Sequence, residues 1–251
     1  MTEIPTGTMD QGDLTHGHLF DGRVRYTQPR HGFRSGIEPV LLAAAIPTRQ
    51  GSFVLEGGCG AGAALLCLAA RMADVDGLGI DRDPALVALA SQNASANDWP
   101  KLRFMTADIA SLPPLGVFDH ACANPPYHSE MGTPSPDASR RAAKRGTAGT
   151  LAVWAEALVR PLRSGGTLTF ILPAALLPQA AAAFTDAGCH PTGMLPLWPT
   201  ARRPAKLLLL RGIKGSRAAF RVLPGLVLHG PDGSFTAEAD AILRGGSALD
   251  L

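Results

Sequence analysis

Residues 54–62 read VLEGGCGAG, an apolar run that ends in an acid and passes into a glycine-rich turn, and the helix-like ALLCLAARMA follows. The pattern predicts a buried strand, a turn and a helix, in which Gly58, Gly60 and Gly62 allow positive φ and close approach to a ligand. A dinucleotide-binding turn has the spacing G-x-G-x-x-G, whereas the third glycine here comes one residue early. Glu56 would repel a pyrophosphate and suits a ligand that carries an ammonium group.

Strand-like and helix-like segments alternate on the C-terminal side of this turn. Residues 77–81 predict a strand, followed by a helix that Asp83 caps and that runs to about Asn97. Further strands are expected in LRFMTAD, GVFDHACANPPY and TLTFILP, with a helix in AVWAEALVRPLRSGG closed by Gly165-Gly166. MLPLWP and AKLLLLRG predict a closing hairpin. Together these segments predict an α/β fold with a mostly parallel seven-stranded sheet, an antiparallel strand at its end, and helices on both faces.

The chain of 251 residues is long enough to bury one sizeable core. We expect a flexible tail over 1–18 and a single domain over 19–251. That domain divides into a preface (19–50) with a short hairpin and a helix, a Rossmann-like core (51–215), and an extension (216–251) with a hairpin and a terminal helix.

Composition narrows the class of protein. The richest apolar runs are short or interrupted by Pro173 and Pro178, so we expect no membrane span. The N-terminus lacks a basic region followed by an apolar stretch, so we expect no secretory signal and a cytoplasmic location. The four cysteines have no CxxC spacing and three lie in segments that look buried, so we expect small core side chains and no disulfide framework. His16 and His18 form too small a set for a metal site, so no metal is expected.

The charges are distributed unevenly along the chain. Residues 138–221 hold 13 Lys/Arg against two acids, a net charge of +11, whereas the remainder has a net charge of −9. Such asymmetry indicates either a polyanionic partner on one side or ordinary solvated loops.

Acidic residues follow three successive predicted strands. Glu56 suits an ammonium group, Asp81 is placed to accept hydrogen bonds from ribose hydroxyls, and Asp108 is placed to accept one from an adenine amino group. Asp108 has a purely structural alternative as the cap of IASL. A cationic tail, a ribose and an adenine in one ligand indicate S-adenosylmethionine.

The motifs VLEGGCGAG, GIDRD, TAD and ANPPY, in this order, resemble those of class I S-adenosylmethionine-dependent methyltransferases that act on exocyclic or amide nitrogens. The resemblance implies a Rossmann-like fold and S-adenosylhomocysteine as product. Gly57 and Glu38-Pro39 depart from the usual pattern. The cofactor-binding residues that it implies are Glu56, Gly58, Cys59, Gly60, Gly62, Asp81, Arg82, Asp108, Ile109 and Asn124.

Flanking segments narrow the resemblance. RYTQPRHGFRSGIEPVLLAAAI and LPLWPTARRPAKLLLLRGIKGSR are similar to the bacterial family that includes the tRNA(valine) adenine-37 N6-methyltransferase, and the similarity extends from about Leu19 through nearly the whole chain. It implies N6-methylation of adenine, with tRNA as partner. Methylation of rRNA guanine N2 or of a protein glutamine stays open, as does a catalytically silent protein that binds the cofactor and chaperones RNA or a subunit. Monomer and dimer are both open.

ANPPY carries the expected chemistry. If the side-chain carbonyl of Asn124 and the backbone carbonyl of Pro125 each accept one N–H, an adenine N6 lone pair turns toward the methyl donor. Pro125-Pro126 stiffens the turn, and Tyr127 is placed to stack on an unstacked base. Protein-glutamine methyltransferases with this motif carry a helical domain in front, and only about fifty residues precede Val54, which favours RNA.

Basic residues near this turn are expected to contact phosphates. Some lie before it or in the loop 128–149, the one long irregular segment, and others in the predicted closing hairpin. They are Arg34, Arg140, Arg141, Lys144, Arg145, Arg202, Arg203 and Lys206.

Overall fold

The computed structural model describes residues 11–31, 35–72, 74–126 and 149–251. The helices are α1 Glu38–Ala45, α2 Ala63–Arg71, α3 Pro84–Ala96, α4 149–159, α5 Leu177–Asp186 and α6 Ala237–Leu243. The strands are β1 Leu14–Leu19, β2 Val24–Pro29, β3 Phe53–Gly57, β4 Asp76–Asp81, β5 Leu102–Thr106, β6 Phe118–Ala123, β7 Leu162–Pro173, β8 Cys189–Thr200, β9 Leu207–Lys214, β10 Arg221–Val222 and β11 Leu226–His229.

Nine of the strands in the described residues form one sheet, in the order β10, β8, β9, β7, β6, β3, β4, β5, with β11 also pairing with β8. The strands β3 to β7 pair in parallel, as the alternation of strands and helices predicts. The predicted α/β class with a mostly parallel sheet is therefore confirmed.

The prediction for the end of the sheet was wrong in two respects. The antiparallel strand β9 lies inside the sheet, between β7 and β8, because it pairs with both neighbours along most of its length. The described sheet has nine strands rather than seven, since β10 and β11 of the C-terminal segment pair in parallel with β8. These two short strands pair with the side of β8 that faces away from β9. Their pairing depends on contacts between segments that are distant in sequence.

Two local predictions also require correction. Leu14–Leu19 is a strand paired with Val24–Pro29, so residues 14–18, which the sequence assigns to a flexible tail over 1–18, belong to a hairpin. Gly165-Gly166, expected to end a helix, lies within β7. Gly166 faces the backbone carbonyls of Arg163 and Asp119, which leave no space for a Cβ, so close strand approach explains this glycine.

Alternating side chains fill a core on each face of the sheet. Val54, Cys122 and Ile171 belong to the cluster on one face, and their chain neighbours Leu55 and Phe170 belong to the cluster on the other. The helices α1, α2 and α6 contribute to the first cluster, and α4 and α5 to the second. In the described part of the chain, no helix combines the length and apolar character that a membrane crossing requires.

Candidate active site

The carboxyl ends of four parallel strands meet at one edge of the sheet. Gly57 at the end of β3 pairs with Ala123 at the end of β6 and with Ile80 of β4, and Asp81 pairs with Thr106 at the end of β5. The predicted site residues that follow these strands are therefore brought together, as expected for a ligand site in an open α/β sheet.

The glycine turn has the backbone that the sequence predicts. Gly58, Gly60 and Gly62 have φ of +65°, +54° and +87°, a region in which other residues are strained. A Cβ added at Gly58 would lie 2.6 Å from the Trp154 ring, whereas one added at Gly60 would meet nothing within 4 Å. The turn is thus packed against α4 at Gly58 and open to a ligand at Gly60.

Asp81 holds this turn against the end of β4. One of its carboxylate oxygens accepts the Gly60 N–H at 2.9 Å and the other accepts the Asp83 N–H at 3.0 Å. The Cys59 N–H donates to the Ile80 carbonyl at 3.0 Å. Each carboxylate oxygen has a second acceptor position, so Asp81 has capacity for the ribose hydroxyls that remain its predicted ligand.

Glu56 is an acid with an incomplete set of partners. It is 5% exposed, and its carboxylate accepts the Leu65 N–H from the first turn of α2. Its Oε2 is buried without a hydrogen-bond partner among the described residues. Burial, reinforced by the nearby charge of Asp81, raises the pKa of Glu56 to about 8. A cation placed at Oε2 would give the ionised carboxylate the partner that it lacks.

Asn124 follows β6 and has a similar unfilled acceptor. Its Oδ1 is buried without a partner among the described residues, while Pro125 is buried and Pro126 is exposed. A buried carbonyl oxygen without a donor is uncommon and costly. Glu56 of β3 pairs with Cys122 of β6, and each is one residue before the end of its strand. The unfilled acceptors of Glu56 and Asn124 therefore belong to one site. Tyr127 lies outside the described residues.

Asp108 and Ile109, which follow β5, and Arg82, which follows β4, differ in their exposure to solvent. Asp108 is exposed, and one carboxylate oxygen accepts the Ala110 N–H at 2.9 Å, so it caps the short 3-10 turn that follows. Its structural alternative is therefore observed, and its second oxygen keeps the capacity for an adenine amino group. Ile109 is buried against Gly57. Arg82 is exposed beside Asp81.

The turn between β8 and β9 brings exposed basic residues to the same edge. Leu207 pairs with Pro173 at the carboxyl end of β7, and the Lys206 carbonyl accepts the Ala174 N–H at 2.9 Å. Arg202, Arg203 and Lys206 are exposed in this turn. Since β7 separates β9 from β6, the turn begins roughly 10 Å along the edge from the end of β6. The other predicted RNA contacts, Arg34, Arg140, Arg141, Lys144 and Arg145, lie outside the described residues.

Comparisons with known proteins agree with this geometry. A family described as "Methyltransferase domain" matches residues 54–147. The chain is 33% identical over 156 residues to the tRNA1(Val) (adenine(37)-N6)-methyltransferase of Actinobacillus succinogenes, an alignment that covers 61% of this chain and 66% of that protein. It is 26% identical over 225 residues to the protein of the same name from Dickeya chrysanthemi, covering 86% and 88%. The chain is a methyltransferase.

Solved structures show the same fold. A predicted O-methyltransferase from Agrobacterium tumefaciens superposes with a TM-score of 0.71 and 22% identity, over 85% of this methyltransferase and 99% of that chain. A class I S-adenosylmethionine-dependent methyltransferase from Listeria monocytogenes has a TM-score of 0.53 at 18% identity, over 82% and 68%. At these identities the likeness concerns the fold alone.

The site of this methyltransferase fits S-adenosylmethionine. The unpartnered Oε2 of Glu56 suits the ammonium group, and the open side of Gly60 leaves space for close backbone approach. The carboxylates of Asp81 and Asp108 retain acceptor capacity for the ribose and the adenine. Each functional group of S-adenosylmethionine therefore has a candidate partner among the predicted residues.

Sequence reasoning missed three residues of this methyltransferase's site. Trp154 of α4 covers Gly58. Tyr26 of β2 is buried, donates to or accepts from the Ser35 hydroxyl at 2.8 Å, and lies near Glu56; burial raises its pKa to about 12. Asn93 of α3 is buried and hydrogen-bonded to the glycine turn. The one sequence signal for Asn93 is an asparagine at a helix position that faces the core, because a buried side-chain amide requires hydrogen-bond partners.

Proposed function

We propose that this methyltransferase transfers a methyl group from S-adenosylmethionine to the exocyclic N6 of an adenine in tRNA. By similarity to the relatives named above, the target is adenine 37 in the anticodon loop of a valine tRNA. A tRNA substrate would place the reaction in the cytoplasm. The observation that carries the proposal is the buried Oδ1 of Asn124 beside Pro125, which has no partner within the described part of the chain and lies at the strand edge where the predicted cofactor residues converge.

The acceptor chemistry requires two hydrogen-bond acceptors at one nitrogen. The lone pair of an exocyclic amino group is delocalised into the ring, which makes the nitrogen a poor nucleophile. When Asn124 Oδ1 accepts one N–H and the Pro125 carbonyl accepts the other, the nitrogen moves toward tetrahedral geometry and its lone pair loses conjugation with the ring. Proline has a fixed φ, a carbonyl acceptor and no N–H. Pro125 therefore offers an acceptor of fixed direction.

The cofactor supplies an electrophilic methyl group on a sulfonium sulfur. Glu56, Asp81 and Asp108 would hold the cofactor so that this methyl group could pass from its carbon–sulfur bond to the nitrogen, and the nitrogen would then release one proton to water. The residues of the chain contribute mainly by orienting the nitrogen in line with that bond, an effect that supplies much of the rate of such reactions. No side chain with a specially adjusted pKa is needed as a general base.

The basic turn supports a nucleic acid as the acceptor. Arg202, Arg203 and Lys206 are exposed at the same edge as Asn124, where they are placed to contact phosphates on either side of an unstacked base. An anticodon loop presents unpaired bases, which is the form of RNA that base-specific proteins usually recognise.

The test is transfer of labelled methyl from S-adenosylmethionine to total tRNA purified from a strain that lacks this protein, followed by digestion to nucleosides. We expect label in N6-methyladenosine. Transfer by the Asn124→Ala variant under the same conditions controls for a contaminating methyltransferase. Label in rRNA guanine or in protein glutamine, with none in tRNA, would contradict the proposal.

A further inference from the structure

Asn93 of α3 and Asn97, the residue that follows α3, hold strand β2 in the manner of a neighbouring strand. Asn93 Oδ1 accepts the Thr27 N–H at 2.9 Å, and its Nδ2 donates to the Thr27 carbonyl at 2.8 Å. Asn97, one turn later on the same face, makes the same pair of bonds to Arg25, both at 2.8 Å. The β1–β2 hairpin is thus attached to α3 by four hydrogen bonds from two amides.

The second Nδ2 hydrogen distinguishes the two asparagines. Asn93 uses it to donate to the carbonyl of Ala61, in the glycine turn, at 3.0 Å. Asn97 uses it to donate to the Asn93 carbonyl within α3, at 2.7 Å. Asn93 therefore joins the hairpin to the glycine turn, and Asn97 joins the hairpin to the helix alone.

The bond to Ala61 fixes the turn because a peptide unit is planar. The carbonyl of Ala61 and the N–H of Gly62 belong to one peptide, and that N–H donates to the Cys59 carbonyl at 2.8 Å. Both ends of the peptide are therefore held, and it cannot rotate without losing one bond. Asn93 is 3% exposed and Ala61 is buried, so water does not readily replace the Asn93 amide as the partner of this carbonyl.

We propose that Asn93 is a positioning residue that couples docking of the β1–β2 hairpin to binding of S-adenosylmethionine. One amide holds both Thr27 of the hairpin and Ala61 of the cofactor turn, so a loss of either contact loosens the other. Coupling of this kind is reciprocal: cofactor binding stabilises the docked hairpin by the same factor by which the docked hairpin raises cofactor affinity. The proposal concerns the cofactor and is independent of the methyl acceptor.

The matched variants are Asn93→Ala and Asn97→Ala. Each removes two hydrogen bonds to β2, and Asn93→Ala also removes the hydrogen bond to the glycine turn. Binding of S-adenosylhomocysteine is measured by titration calorimetry. We expect roughly tenfold weaker binding for Asn93→Ala, the effect of leaving one buried carbonyl unpaired, and less than about threefold for Asn97→Ala. Equal weakening by the two variants, or none by Asn93→Ala, would overturn the proposal.

Hydrogen exchange provides a readout that a merely structural role would not change. In the wild-type protein and in Asn97→Ala, saturating S-adenosylhomocysteine should slow exchange of the amides of Val24–Pro29 as well as those of the glycine turn. In Asn93→Ala the slowing should be confined to the turn. If Asn93→Ala fails to fold, the wild-type experiment decides, because unchanged exchange in Val24–Pro29 on saturation would refute the coupling.

Discussion

Substituting Glu56 by glutamine should make the free protein more stable at neutral and alkaline pH. Its carboxyl group is 5% exposed, has an Oε2 without a partner in the described structure, and has a pKa raised by burial to about 8 from the ordinary 4.5. A buried carboxylate without a cation costs free energy in the folded state. Glutamine keeps the shape of the protonated side chain and removes the ionisation.

The direction follows from the protons bound in each state. Below about pH 4.5 the carboxyl is protonated in both folded and unfolded chains. Between about pH 4.5 and about pH 8 the unfolded chain ionises while the folded chain keeps its proton, so the wild-type protein loses stability as the pH rises. The loss is about 1.4 kcal/mol per pH unit, or about 3 kcal/mol from about pH 5.5 to about pH 7.5.

The assay is equilibrium unfolding in denaturant of wild type and Glu56→Gln, without cofactor, at these two pH values. The stability of the variant relative to wild type should increase by about 3 kcal/mol at the higher pH. Glu156→Gln, which removes an exposed carboxylate of α4, controls for the loss of one negative charge. Saturating S-adenosylmethionine should stabilise the wild type and have far less effect on the variant. Parallel pH profiles for wild type and Glu56→Gln would refute the reasoning.

Two further predictions concern the edges of the site. Replacing Arg202 and Arg203 by alanine should weaken tRNA binding and reduce the slope of log affinity against log salt by about two; an unchanged slope in filter binding would argue against phosphate contacts. Gly58→Ala should lower the free energy of unfolding by about 1–3 kcal/mol, because its Cβ would overlap Trp154. Gly60→Ala, with open space around the added carbon, should lower the free energy of unfolding less than Gly58→Ala when both are measured by unfolding in denaturant, and should chiefly weaken cofactor binding.

The part of the fold that local pattern determines was predictable. Three short patterns each specify their structure within a few residues: the apolar run before Glu56, the glycines after it, and Asp83 before a helix-initiating proline. The structure has a strand, a positive-φ turn and a capped helix at these positions. The convergence of Glu56, Asp81 and Asn124 followed from the rule that parallel strands end at one edge.

The remainder depends on contacts between distant segments. The glycine pair in β7 looked like a helix terminus, but its function is close approach to a neighbouring strand. The position of β9 inside the sheet is set by its pairing with both β7 and β8. Asn93 was missed because its three hydrogen-bond partner atoms belong to Thr27 and Ala61, which are 66 and 32 residues away. No window of sequence around Asn93 contains them.

The most direct test of the central claim, an amide clamp on an exocyclic nitrogen, is single-turnover methyl transfer to tRNA by Asn124 variants with S-adenosylhomocysteine binding measured alongside. Asn124→Ala should lower the transfer rate by at least about a hundredfold, the scale seen when one catalytic hydrogen bond is removed, and leave the dissociation constant within about threefold. Asn124→Asp, which keeps an acceptor oxygen, should retain a larger fraction of the rate. Transfer by Asn124→Ala at the wild-type rate would contradict the account.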